Sequence, residues 1–292
     1  MARTENKADV YLKSYLQNWL RSRRNEVRPR TFDDYTRNID LLTKELGHIK
    51  LSALTPDDIE RASARILDAG ISQQTMLHCH RRLTTALNAA VSQDLIPSNP
   101  MYRVDKMETP PQSVRILTAS ERERVLRSAA STEVESVVFT AMHTGLKRGE
   151  LLALKRDAIN LEQGTLTVTH TLSNSKGSVA RLPALLGSQR TISLDDKVIQ
   201  HLEPHLDIND DAFLFRRSTG EQILPNYATK EFKKLVRKIG LYDVQFQDLR
   251  HAYVAMQIEA GKPFHSIMEY IGLRDTRSMT DVYGHLFKGQ EE

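Results

Sequence analysis

Two runs near the C-terminus carry residue types able to do chemistry: Asp248-Leu249-Arg250-His251 and, thirty-odd residues later, Met279-Thr280-Asp281-Val282-Tyr283-Gly284-His285-Leu286. An arginine presents planar, paired donors that match the oxygens of a phosphate. A tyrosine hydroxyl is among the side-chain groups that form covalent intermediates. Each also has an ordinary explanation. Arginine on a helix is usually a surface or salt-bridged residue, and tyrosine is more often a core or surface aromatic than a nucleophile.

The elements that must position these residues can be read from pattern. Residues 9 to 95 read as helices throughout. Tyr11, Tyr15, Trp19 and Leu12, Leu16, Leu20 recur at helical spacing and give one apolar stripe over residues 9 to 22. Thr31 is expected to cap a second helix running to Leu46, with Asp33 and Asp34 in its first turn and Gly47 as its stop. Thr55-Pro56-Asp57-Asp58 starts a third that ends at Gly70, and Ser72 caps a fourth from Gln73 to about Gln93. Together they predict a compact four-helix bundle. Pro97, Pro100, Pro110 and Pro111 then interrupt the chain, because closely spaced prolines resist helix and sheet alike. The expected division is a helical domain over 1–105, a linker over 106–115 and a second domain over 116–292.

The second domain opens with Thr118 and Glu121 in a capping box. Strand character follows over residues 164 to 194: Thr165 to Thr171 alternates, Ser173 to Gly177 reads as a turn, and Arg190-Thr191-Ile192-Ser193-Leu194 ends the sheet. The fold class is therefore mainly α with a small β-sheet.

Bulk properties narrow the classes. The 292 residues suit two domains. With 41 basic and 37 acidic side chains, the net charge of +4 permits nucleic-acid binding without announcing it. A single cysteine, Cys79, excludes an internal disulfide and fits a reducing cytoplasm. No run of eighteen apolar residues and no signal-peptide core occurs, so neither membrane insertion nor export is expected. His78-Cys79-His80 invites a metal, but consecutive helical side chains point about 100° apart and do not converge on one ion. No metal or other cofactor is expected.

In order along the chain, Thr31-Phe32-x-x-Tyr35, Leu46-Gly47-His48-Ile49-Lys50-Leu51-Ser52-x-Leu54-Thr55, Ala69-Gly70-Ile71-Ser72 and Asn99-Pro100 resemble the helical, SAM-like core-binding domain of tyrosine recombinases, the phage integrase family. Thr144-Gly145-Leu146-Lys147-Arg148-Gly149-Glu150-Leu151-Leu152-Ala153-Leu154, with the runs around Arg250 and Tyr283, is similar to that family's mixed α+β catalytic domain. The resemblance implies site-specific recombination or integration of double-stranded DNA through a 3′-phosphotyrosyl intermediate. It implies that Arg250 holds the scissile phosphate and that Tyr283 attacks it, with no cofactor. It also implies a homodimer or tetramer on DNA, or a partner recombinase. Arg28, Arg30, Arg81, Arg82, Arg148 and Arg190 are candidates for phosphate contacts, although a single arginine of this kind is more often part of a solvated helix face.

Four positions depart from the family pattern. Lys147 stands where the first catalytic arginine is expected, and Arg148, one step on, is turned by about 100°. Pro183 is followed by Ala184, Leu185 and Leu186 rather than by the hairpin lysine that would protonate the leaving 5′ oxygen; Lys176, in the earlier turn fourteen positions before Arg190, is the catalytic candidate for that place only if the hairpin is reorganised. Gln247 replaces a histidine or lysine, and Leu273 a histidine or tryptophan. Gln247 can donate a hydrogen bond but transfers no proton, and Leu273 does neither. His251 and His285 match positions that look structural. The expectation is a degenerate site of weak activity, with a non-cutting DNA-binding regulator or architectural protein as the alternative.

Overall fold

The computed structural model describes residues 10–107, 114–185, 187–207 and 209–287, apart from the side chain of residue 278. The chain forms two units, Met1–Pro111 and Gln112–Glu292. Of the expected linker, residues 108–113 lie outside the described residues, as does Leu186.

The first unit is built on α1 (Leu12–Arg23), α2 (Pro29–Leu46), α3 (Pro56–Asp68) and α4 (Gln73–Ser92). Residues at helical spacing on each helix converge on one core, including Leu12, Leu16, Ile39, Leu42, Ile59, Met76, Leu83 and Leu87, all fully buried. Tyr15 keeps its polar end satisfied by donating to the Ala86 carbonyl at 2.6 Å.

Thr55 and Asp58 form the reciprocal capping box of α3: Thr55 Oγ1 accepts from the Asp58 N–H at 3.2 Å, and the Asp58 carboxylate accepts from the Thr55 N–H at 3.1 Å. Ser72 caps α4 through the Thr75 N–H. The start of α2 differs from expectation. It begins at Pro29 with an extended Arg28 before it, so Thr31 lies inside the first turn. Proline at the first helical position fixes φ in advance and needs no donor, and that preference overrides the side-chain cap.

The His78-Cys79-His80 run diverges as its spacing requires. Cys79 is in the core, His80 Nε2 lies 2.8 Å from Ser63 Oγ, and His78 sits beside Gln74.

The second unit contains α5 (Ala119–Ala129), α6 (Glu135–Thr144), α7 (Arg148–Leu152), β1 (Ile159–Asn160), β2 (Thr165–Val168), β3 (His170–Ser175), β4 (Ser178–Pro183), β5 (Arg190–Ser193), α8 (Asp196–Leu202), α9 (Pro225–Lys238), α10 (Asp248–Glu259), α11 (Phe264–Ile271) and α12 (Thr276–Phe287). Among the described residues the strands make two sheets. One is antiparallel β1-β2-β5, and the other is the β3-β4 hairpin. The run read as one alternating strand from Thr165 to Thr171 is broken at Thr169, and its two halves belong to different sheets. The expected turn at Ser173 to Gly177 is also tighter: pairing runs on to Ser175↔Ser178, leaving Lys176 and Gly177 as a two-residue turn. Both adopt positive φ, 47° and 82°, which matches the twist of flanking strands.

A small cluster of Tyr253, Val254, Ile258, Ile267, Met268, Ile271, Met279 and Tyr283 locks α10, α11 and α12 together. No described helix is long and apolar enough to cross a membrane.

Removal of one capping hydroxyl usually costs about 1 kcal/mol. Thr55→Ala should therefore lower the unfolding free energy by about that amount in denaturant titration, without changing the slope. An unchanged midpoint would contradict the capping account.

Candidate active site

Strand alternation decides where Arg190 points. In β5, Ile192 faces the core opposite Leu166, and period two puts Arg190 on the same inward face, opposite Val168. A cation turned inward needs partners. Arg190 Nη2 donates to Glu150 Oε2 at 3.0 Å and Nη1 to Oε1 at 3.3 Å, a bidentate pair in which both side chains are nearly inaccessible to water. Its remaining donors reach the carbonyls of Ser188 and Tyr270.

Glu150 lies in α7 and also accepts from the Lys147 backbone N–H at 3.1 Å. Burial pushes its carboxyl up, but the bonds and charge of Arg190, helped by Lys147, outweigh burial and hold it below the usual carboxylate range. Lys147 Nζ stands 3.6 Å from Glu150 Oε1 with almost half its side chain open to solvent. Burial of the ammonium lowers its affinity for a proton; Glu150 opposes this, and the positive charges of Arg250 and Arg190 add to it.

Arg250, early in α10, is buried and bonded to two main-chain oxygens, those of Gly145 at 2.7 Å and Ile271 at 3.0 Å. Glycine is required at the first point of contact and directly after the second. Gly145 ends α6 with φ of 60°, and a Cβ there would meet the Tyr253 ring at 2.5 Å. Gly272 ends α11 with φ of 66°, and a Cβ would lie 2.7 Å from Arg190 Nη1. The two arginines thus satisfy carbonyls in the last turn of α11, which that helix cannot satisfy itself.

Tyr283 is buried on α12, with its hydroxyl 2.5 Å from His251 Nδ1. Burial pushes the phenol up to about 12 even though Arg250 pulls the other way. Burial, with help from the charge of Arg250, pushes His251 down to about 4. At neutral pH both groups are uncharged.

The structure ties Lys147, Glu150 and Arg190 together by ion pairs and His251 to Tyr283 by a hydrogen bond, with Arg250, the neighbour of His251, anchored on the Gly145 and Ile271 carbonyls. It does not tie the side chains of the other sequence candidates to these residues by any described hydrogen bond. Gln247 is exposed just before α10 and contributes its carbonyl to the Arg250 N–H. Lys176 is exposed at the tip of the β3-β4 hairpin. Arg148 turns to Thr229 on α9. Leu273 packs against the apolar cluster around Tyr283.

The description "Phage integrase family" matches residues 108–290, and "Phage integrase, N-terminal SAM-like domain" matches residues 11–65. The chain belongs to the phage integrase family. Among curated members, a XerC-like tyrosine recombinase from Caldanaerobacter subterraneus is 25% identical, with 97% of this chain and 81% of that protein covered. The ICEBs1 integrase of Bacillus subtilis is 21% identical over 83% of this chain and 70% of its own. Among solved structures, the Tn1549 transposon integrase in complex with a circular intermediate DNA has a TM-score of 0.82 at 20% identity, covering 94% of this chain and 95% of that one. A lambda integrase dimer bound to a COC′ core site has a TM-score of 0.74 at 17% identity, covering 96% and 79%.

In the SAM-like domain of this integrase-family chain, the arginines singled out by sequence differ in their surroundings. Arg81 is exposed, and Arg30 sits on the surface 3.5 Å from Asp34. Arg28 is half-buried at the start of α2. Arg82 lies over the Tyr35 ring, 4.0 Å from its centroid, and donates to the Tyr35 hydroxyl at 3.0 Å. Tyr35 in turn stacks on Trp19.

Sequence reading took His251 as structural and missed its contact with Tyr283. The signal available was its place beside Arg250, since adjacent helical residues face different neighbours. It also took Arg190 as a candidate for a phosphate contact. The alternation of Arg190 with Ile192 was the overlooked cue.

Because the folded Glu150 carboxyl is held low, its pair with Arg190 contributes stability above ~4.3, the value of a free glutamate, and loses it as pH falls through the lower folded value. Leaving Arg190 unpaired should cost about 3 kcal/mol. Glu150→Gln should show that loss at pH 7 and a shallower decline toward acid in urea unfolding. Equal stability at pH 7 would contradict the assignment.

Proposed function

We propose that this integrase-family chain binds double-stranded DNA and performs site-specific recombination through a 3′-phosphotyrosyl intermediate. Tyr283 is the nucleophile, and Arg250 and Lys147 bind the scissile phosphate. The observation that carries the reading is the anchoring of Arg250 on the carbonyls of Gly145, two residues before Lys147, and Ile271, next to the Tyr270 carbonyl held by Arg190, while the adjacent His251 meets Tyr283. Attack on a phosphodiester gathers charge on the non-bridging oxygens, and fixed cationic donors stabilise that charge where it develops.

The reaction is slow. Lys147 supplies a point charge without the planar fork of an arginine, and Gln247 and Leu273 transfer no proton. Lys176 is the one lysine of the hairpin, but it stands at the exposed tip and reaches the leaving 5′ oxygen only if the hairpin is reorganised on DNA. A missing acid costs ~10² to 10⁴ in rate, and each lost preorganised donor on the order of 10² to 10³. A deficit of roughly 10⁴-fold against a site with the full set follows, since such losses do not simply multiply. Arg28, Arg30, Arg81 and Arg148 contact phosphates, Arg82 supports that surface from its seat on Tyr35, and Arg190 acts as an internal strut. Assembly as a dimer or tetramer on DNA, alone or with a partner recombinase, fits the lambda integrase dimer bound to its core site and the tetramer bound to a Holliday junction. The cytoplasm is the compartment in which such a reaction meets DNA.

A second reading, a DNA-binding regulator or architectural protein that does not cut, is favoured by one observation: Arg250 already donates to two main-chain carbonyls, and Tyr283 is buried.

The test is covalent trapping on nicked duplexes tiled across the DNA flanking the coding region. A denaturant-resistant adduct with the wild type and none with Tyr283→Phe is expected. Specific binding with no adduct would overturn cutting in favour of the second reading. Lys147→Arg alone should raise the adduct yield by no more than ~10³-fold, the worth of one donor. Full recovery by that change would show that the proton donor is not missing.

A further inference from the structure

The hydrogen bond between His251 and Tyr283 is unusual in what surrounds it. Arg250 and His251 are consecutive in α10, so their side chains leave the helix about 100° apart. Arg250 is thereby directed to Gly145 and Ile271, and His251 to α12. The two rings are tilted at 47° with centroids 5.6 Å apart, and the hydroxyl meets Nδ1 at 2.5 Å. Among the described residues this is the sole hydrogen bond of the Tyr283 hydroxyl.

We propose that His251 is the proton acceptor for Tyr283, its Nδ1 taking the phenolic proton as the tyrosine oxygen attacks phosphorus. This rests on the phosphoryl-transfer reading above. In the step the bond from the tyrosine oxygen to phosphorus forms, and the bond from phosphorus to O5′ breaks with its electron pair left on O5′. The proton moves from the phenol to Nδ1 and passes through water to become the hydrogen of the 5′ hydroxyl. Nothing is oxidised or reduced.

Geometry meets the first requirement of a base, which is contact with the proton it removes. A neutral imidazole accepts at one nitrogen and donates at the other, so accepting from the phenol at Nδ1 requires the tautomer protonated at Nε2. His285 does not compete, because it is exposed on α12, and Gln247 has no basic nitrogen. The electrostatics make the pair latent. With burial depressing the imidazole to about 4 and raising the phenol to about 12, the proton stays on Tyr283 in the free protein. A phosphate docked on Arg250 offsets the charge of Arg250, the smaller of the two causes that disfavour an imidazolium, and adds a negative charge near the ring. Transfer is thereby coupled to arrival of the substrate.

The test uses the duplexes of the tiled series, each also made with sulfur in place of the bridging 5′ oxygen. A thiolate leaves without being protonated, so this substrate bypasses the acid and reports on activation of the nucleophile. Asn places an amide oxygen near the position of Nδ1 and keeps an acceptor, but takes no proton. His251→Asn should form adduct ~10² to 10⁴ more slowly on the sulfur substrate, while His285→Asn matches the wild type. The unaltered chain provides a check independent of folding: on the sulfur substrate its rate should fall in deuterated water. Adduct formation by His251→Asn at the wild-type rate, or an unchanged wild-type rate in deuterated water, would overturn the role of His251 and leave cutting intact. Absence of adduct from the wild type on every duplex, sulfur included, would overturn cutting and the role of His251 together.

Discussion

The second unit depends on the buried pair between Glu150 and Arg190. A charged group removed from water is tolerated only where its partners are complete, and here completion ties four places in the chain. Glu150 fixes the Lys147 backbone at the start of α7, Arg190 belongs to β5, and the remaining donors of Arg190 hold the Ser188 loop and the last turn of α11. Arg250 bonds the next carbonyl of that turn and the loop that leads to Lys147. The backbone around Lys147 is thus held from one side by Glu150 and from the other by Arg250. A phosphate-binding site needs such rigidity, because donors that must reorganise during the reaction contribute little.

The same arrangement explains why the site is neutral where chemistry is expected. The apolar cluster formed by α10, α11 and α12 buries Tyr283 and His251, and burial disfavours both phenolate and imidazolium. In the proposed reaction the DNA backbone brings the negative charge that Arg250 and Lys147 meet.

How much of this was legible in the sequence follows from the range of each interaction. Thr55, Ser72 and Thr118 cap their helices as their local spacing indicates, since a cap involves residues three apart. The start of α2 was misread because Pro29 and Thr31 both offered a local signal. The break at Thr169 was invisible, because an alternating run has the same appearance whether it serves one sheet or two. Glu150 and Arg190 are forty residues apart, and His251 and Tyr283 thirty-two. No periodicity links such pairs, though strand alternation does predict that Arg190 faces inward. The candidate residues Arg250, Lys147 and Tyr283 were visible through family resemblance, whereas the bonds that hold them required coordinates.

The central claim is that Tyr283 forms the covalent bond to DNA within this set of residues. It is tested most directly by mass spectrometry of the protein after reaction with DNA, denaturation, and digestion by trypsin and nuclease. The account predicts a 3′-phosphonucleotide on the peptide containing Tyr283, localised to that tyrosine by fragmentation. A nucleotide on any other residue, or unmodified Tyr283 in protein recovered from bound DNA, would contradict it.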